Sequence, residues 1–230
     1  MITKGFFDGV MRLRDGITSR LLRTRIQPNT LTVIGLILNI PVAIMIAKGH
    51  FWWAAILFFV ASSFDVLDGA VAKTGNRMTP FGGFLDSTLD RISDMILFGG
   101  VAAYFFQKTS HLYVFLTLIA LAFSLLISYM RARAECLIPK CDVGLAERAE
   151  RMVVLLMGLL FHSLYAAVWV LVFITLLTVI NRIIYTWYAT NNRPFPESVG
   201  RLLLDFPRGS KPYDVLFVLT AVILIAAAFL

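Results

Sequence analysis

Charge is scarce in this chain of 230 residues: 15% are Asp, Glu, Lys or Arg, against 59% hydrophobic. That ratio excludes an ordinary soluble domain, and a mean hydropathy of +0.80 describes an integral membrane protein. Cysteine is nearly absent too. Cys136 and Cys141 fall in an expected cytoplasmic loop, where disulfides do not persist, and with no histidine beside them they make a poor zinc site. The three histidines, His50, His111 and His162, all map to the side of the membrane away from the acidic residues, which leaves histidine no catalytic role among those acids. Internal repeats and low-complexity tracts are also missing.

What is present is a series of apolar runs near residues 31–47, 51–67, 84–106, 112–130, 152–162, 166–189 and 213–230. Crossing about 30 Å of hydrocarbon takes about 20 residues, so the pattern predicts an all-α integral membrane protein with a six-helix transmembrane bundle over 27–190. Residues 191–212 read as a polar, proline-containing cytoplasmic linker, and 213–230 as an additional apolar run able to form a seventh transmembrane helix. The fifth run is short, so its helix is expected to start near Leu145 and to carry Glu147, Arg148 and Arg151 inward. Residues 1–26 read as an interfacial amphipathic helix, because Phe6, Val10, Leu13, Ile17 and Leu21 form a stripe opposite Asp8, Arg12, Asp15 and Arg23. No small-residue cleavage site follows it, so a removed signal is not expected. Pro28 then sets a bend, with Asn29 or Thr30 expected to cap the first crossing.

With a cytoplasmic N-terminus, the loops on the far side hold only Lys48 and Lys108 of the 21 basic residues, as the positive-inside rule requires. All 14 acidic residues fall in the cytoplasmic half. The expected setting is therefore the cytoplasmic membrane, with the active site on the cytoplasmic face. Trp52, Trp53 and Tyr113 would form the outer aromatic belt, and Tyr129, Tyr185, Trp187 and Tyr188 the inner one. The net charge of +7 suits anionic lipid or substrate, not nucleic acid.

Four aspartates interrupt the second and third runs. An Asp at mid-membrane costs roughly 2.5–3.5 kcal/mol, so four would cost about 10–14 kcal/mol without compensation. Asp65 and Asp68 are three residues apart and Asp86 and Asp90 four, which puts each pair on one helix face. Two facing carboxylate pairs offer hard oxygen donors suited to two Mg²⁺ or Mn²⁺ ions with positions left for phosphate. The plainer alternative pairs these aspartates with Lys73, Arg77 and Arg91. Gly69, Ala70, Ala72, Gly82 and Gly83 keep the adjoining surface small, so that a helix or flat ligand can approach the backbone.

The stretch DVLDGAVAKTGNRMTPFGGFLDSTLD, Asp65 to Asp90, resembles the CDP-alcohol phosphotransferase signature, DxxDGxxAR, eight residues, then GxxxDxxxD. Its one departure is Lys73 in place of Arg, which keeps the charge and loses the fork. TRIQPNTLTVIG, LDRISD, SYMRARAE, ERAERMV and Asn181–Arg182 are similar to the phosphatidylinositol phosphate synthase branch. The resemblance implies transfer from a CDP-lipid such as CDP-diacylglycerol to inositol 1-phosphate with release of CMP. It further implies that Asp65, Asp68, Asp86 and Asp90 hold two metal ions and that Asp90 is the general base. Pro28, Thr32, Gly69, Ala72, Lys73 and Arg77 would face the CDP moiety. A homodimer is expected on the same ground.

Acceptor choice rests on arginines. Arg131, Arg133, Arg148, Arg151 and Arg182 lie at the cytoplasmic ends of the fourth to sixth helices, and their forks suit a phosphate dianion. They favour a phosphorylated polyol, with glycerol 3-phosphate the alternative to inositol 1-phosphate. The related synthases typically carry Lys at the position of Arg131 and end after six crossings. A cation transporter would also place carboxylates in membrane helices, but gives no reason for bunching them beside arginines and small residues. An intramembrane prenyltransferase would separate its two aspartate motifs widely.

Overall fold

A recurrent turn decides where the helices stop. The computed structural model describes residues 27–75, 78–202, 204 and 210–228, with no strand among them. Eight helices lie within those residues: α1 Pro28–Ala47, α2 Phe51–Thr74, α3 Pro80–Gln107, α4 His111–Ala134, α5 Arg148–Leu160, α6 Leu164–Thr190, α7 Glu197–Leu202 and α8 Lys211–Ala227. At the end of α1 the Gly49 amide bonds the Ile46 carbonyl and the His50 amide bonds that of Met45, with Gly49 at φ 77°. This paired closure satisfies carbonyls the helix leaves open. Thr109 after α3 and His162 after α5 repeat the pattern at φ 55°. These three turns share one end of the bundle; a fourth of the same form, at Asn192 after α6, lies at the other end with the aspartates.

Four helices, α1, α2, α4 and α6, are long and apolar enough to cross a membrane, which makes this a multi-pass membrane protein. Each of the seven apolar runs falls mainly on one helix among the described residues, but not each helix is a span by that measure. α3 has 28 residues yet carries Asp86, Asp90, Arg91 and Asp94, and α5 has 13. α5 begins at Arg148, not near Leu145, because Glu147 keeps an extended backbone at the cap position. Neither Asn29 nor Thr30 caps α1. Pro28 starts that helix, and the preceding Gln27 makes no side-chain cap bond. Within the linker, α7 forms over residues 197–202, with the Pro196 carbonyl accepting from the Val199 and Gly200 amides. The interfacial helix expected over 1–26 lies outside the described residues, as does Arg77.

The main core joins α1 to α6. Val42 and Ile46 meet Ala54, Ala55 and Phe58 of α2, Leu97, Phe98 and Val101 of α3, and Leu155, Leu159, Val168 and Leu171 of α5 and α6. α8 packs on α5 and α6 and inserts Leu224 into this core. Its Tyr213 hydroxyl donates to Glu150 Oε1 at 2.7 Å. At the turn end Trp52 and Trp53 stay exposed, whereas Tyr113 turns inward and stacks on Phe105 with ring centres 5.1 Å apart.

α1 and α3 approach backbone to backbone at Gly100. A Cβ there would stand 2.6 Å from the Ala43 carbonyl oxygen and 2.8 Å from its Cα. Gly100→Ala must therefore push α1 and α3 apart, and the expected loss is about 1–3 kcal/mol. Thermal unfolding in detergent measures it; an unchanged midpoint would contradict this packing.

Candidate active site

α2 and α3 bring their carboxylates to the end of the bundle where α5 begins. Thr79 accepts the Gly82 amide at 3.0 Å and Pro80 opens α3, which fixes the register of Asp86 and Asp90. Arg148, the first residue of α5, reaches into this corner. Its Nη1 lies 2.8 Å from Asp65 Oδ2 and 2.8 Å from Asp90 Oδ1. One cationic nitrogen thus ties three helices together. Asp68 sits deeper, at 5% exposure, and accepts the Thr32 hydroxyl at 2.6 Å. Arg91, one of the cations in the plainer pairing, is 3.7 Å from Asp90 and donates to the Ser87 carbonyl instead. Among the described residues no cation pairs with Asp86.

Two cavities meet at Asp86. One, of about 540 Å³, is lined by Asp65, Asp86, Asp90 and Arg148 and continues along an apolar wall of Phe58, Phe59, Met152, Val153 and Leu156. The other, of about 300 Å³, is lined by Pro28, Asn29, Thr32, Asp68, Gly69, Ala72, Lys73, Thr79, Gly82, Gly83 and Asp86. Of the six residues expected at the CDP moiety, five line this second cavity, and the sixth, Arg77, is not described. Asn29 and Thr79 join them. Asn29 reads in the sequence only as a candidate helix cap, and Thr79 carries no reading there.

The arginines are dispersed. Arg131 is held by Glu135 at 3.0 Å, Asp142 at 2.6 Å and Glu147 at 3.1 Å. Arg182, 1% exposed, donates to the Val143 and Ile127 carbonyls and stands 3.7 Å from Glu147. Arg151, also 1% exposed, pairs with Asp94. Arg133 lines a separate cavity with Tyr129, Leu137 and Trp187. Arg148 alone of the five lines the carboxylate cavity. Cys141 is buried and packs on Ala134 and Ile138, and burial pushes its thiol pKa up, so it is a weak nucleophile.

Asp65 and Asp90 already share one cationic atom, and their hard oxygens fit a divalent cation by chemistry. Among the described residues, however, no three acidic, histidine or cysteine side chains stand close enough to enclose a metal ion. Arg148 supplies the counter-charge in this arrangement.

The sequence model described as CDP-alcohol phosphatidyltransferase matches residues 25–180. The phosphatidylinositol phosphate synthase of Mycobacteroides abscessus is 36% identical over 182 residues, covering 74% of this chain and 82% of the relative. The archaetidylinositol phosphate synthase of Methanothermobacter thermautotrophicus is 39% identical over 184 residues, covering 77% and 90%. Among solved structures, the Mycobacterium tuberculosis phosphatidylinositol phosphate synthase with CDP-DAG bound superposes with a TM-score of 0.73 at 30% identity, over 80% of this chain and 98% of that one. The same enzyme with manganese and citrate gives a TM-score of 0.70 at 29% identity, over 80% and 93%.

Proposed function

Because this chain belongs to the CDP-alcohol phosphatidyltransferase family, whose members are metal-dependent transferases, we propose that it joins the phosphatidyl group of a CDP-lipid to inositol 1-phosphate and releases CMP. The observation that carries this reading is the meeting of the two cavities at Asp86, beside the Arg148 bridge between Asp65 and Asp90. The small-residue cavity between α1, α2 and α3 suits a nucleotide diphosphate, with Lys73 toward its charge and Gly69 and Ala72 allowing close approach. The apolar wall of the other cavity suits lipid chains, which would remain in the bilayer.

Asp65, Asp68, Asp86 and Asp90 would hold two divalent cations, Mg²⁺ or Mn²⁺, once their carboxylates draw closer than they stand here, and the ions would supply counter-charge to the diphosphate and the departing CMP. Asp90 accepts the proton of the attacking inositol hydroxyl as its oxygen bonds phosphorus and the bond to CMP breaks. Arg148 meets the acceptor phosphate, with Arg131 and Arg182 behind it through Glu147, and Arg151 behind it through Asp94. Arg133 lines its own cavity together with Arg182. The site opens to the cytoplasm, among membrane lipids, in a homodimer.

The test is CMP release by the purified protein with CDP-diacylglycerol and Mg²⁺, comparing inositol 1-phosphate, glycerol 3-phosphate and no acceptor. Because the archaeal relative is the more identical of the two, CDP-archaeol serves as a second donor. Release is expected only with inositol 1-phosphate, to stop on chelation with EDTA and to return with Mn²⁺. Release with glycerol 3-phosphate alone would replace the acceptor in this reading. Silence with every donor and acceptor, from folded protein, would reject it.

A further inference from the structure

Asp94 stands outside the four signature positions, one turn along α3 from Asp90, and is 2% exposed. A carboxylate buried that deeply persists only when paired and hydrogen-bonded. Its Oδ2 accepts from Arg151 Nη2 at 2.8 Å, and Arg151 turns its Nη1 to the Ala146 carbonyl at 2.9 Å, just before α5 begins. The other carboxylate oxygen, Oδ1, faces Arg148 Nε at 3.8 Å. Both of those atoms are buried and neither has a hydrogen-bond partner. Arg148 therefore has its end nitrogen on Asp65 and Asp90 while its Nε points at an acceptor it does not yet reach.

We propose that Asp94 is a positioning residue for the acceptor phosphate: fixed by Arg151, it sets the direction from which Arg148 presents its guanidinium. A shift of Arg148 away from Asp65 and Asp90 toward a phosphate closes the gap to Asp94 Oδ1 and satisfies both orphan atoms. The guanidinium then turns about a held Nε, with its two end nitrogens free for phosphate oxygens. Arg151 acts on Asp94 and not on substrate, which explains why it is wholly buried beside the cavity instead of lining it. This inference rests on the acceptor reading proposed above.

Asp94→Asn keeps the size of the side chain and an oxygen for Arg151, but removes the charge that attracts Arg148. The KM for inositol 1-phosphate is expected to rise about tenfold or more, with the KM for the CDP-lipid within about twofold. Asp94→Glu should restore some of the loss. Where the single variant does not fold, Asp94→Asn combined with Arg151→Gln neutralises the pair and leaves an amide–amide hydrogen bond. The same selective rise is expected from it, whereas a purely structural role would bring back the wild-type KM. An unchanged acceptor KM in folded Asp94→Asn, or equal rises in both KM values, would overturn the inference. Wild-type protein inert toward inositol 1-phosphate would instead defeat the proposed function, so the two failures are distinct.

Discussion

Asp90→Asn is expected to lower kcat for CMP release by about 10²–10⁴-fold, the range spanned by a positioned general base. Three features make Asp90 the residue to test. It lines the carboxylate cavity, it shares Arg148 with Asp65, and it sits one turn from Asp86, which faces both cavities. Asparagine keeps the shape and an oxygen for Arg148, so the bundle should fold normally. Steady-state kinetics with each substrate varied then separates two outcomes. A fall in kcat with nearly constant KM values is the expected one; near-normal turnover would remove Asp90 from the proton transfer.

Arg148→Gln is expected to lower kcat/KM for the phosphorylated acceptor by about 10²–10³-fold, as loss of a charged donor aimed at developing or bound negative charge does. The size follows from position. Arg148 is the one arginine of the five that lines the carboxylate cavity, and it pairs with both Asp65 and Asp90 while standing near Asp94. Arg148→Lys should recover little, because a single ammonium cannot present one nitrogen to Asp94 and grip a phosphate through two parallel bonds with two others. The measurement is acceptor dependence at saturating CDP-lipid, with binding of the CDP-lipid followed separately. A kcat/KM within a few-fold of wild type would place acceptor recognition elsewhere, and Arg131 would be the next residue to test.

The carboxylate pairs were legible in the sequence because a helix converts spacing directly into direction. Three- and four-residue intervals put Asp65 with Asp68, and Asp86 with Asp90, on common faces before any packing is known. Thr32 was legible only through resemblance. Its bond to Asp68 spans two helices and has no local signature. Asp94 is visible in the sequence only as the end of LDRISD, although it continues the four-residue series from Asp86 and Asp90. Nothing in the spacing says that its partner is Arg151, 57 residues later.

By itself, then, the amino-acid order determined the membrane class, the seven apolar runs, the charge asymmetry and the three- and four-residue spacing of the acids. Each follows from hydropathy or helical period, which are local properties of the chain. Tertiary structure decided which cation meets which acid. It brought Arg148 to Asp65 and Asp90, turned Arg151 to Asp94, and left Arg131 with three carboxylates and Arg182 on backbone carbonyls. Five arginines that read alike along the sequence became unlike because each buried guanidinium must find partners within hydrogen-bond reach, and only the packing of the helices sets those distances.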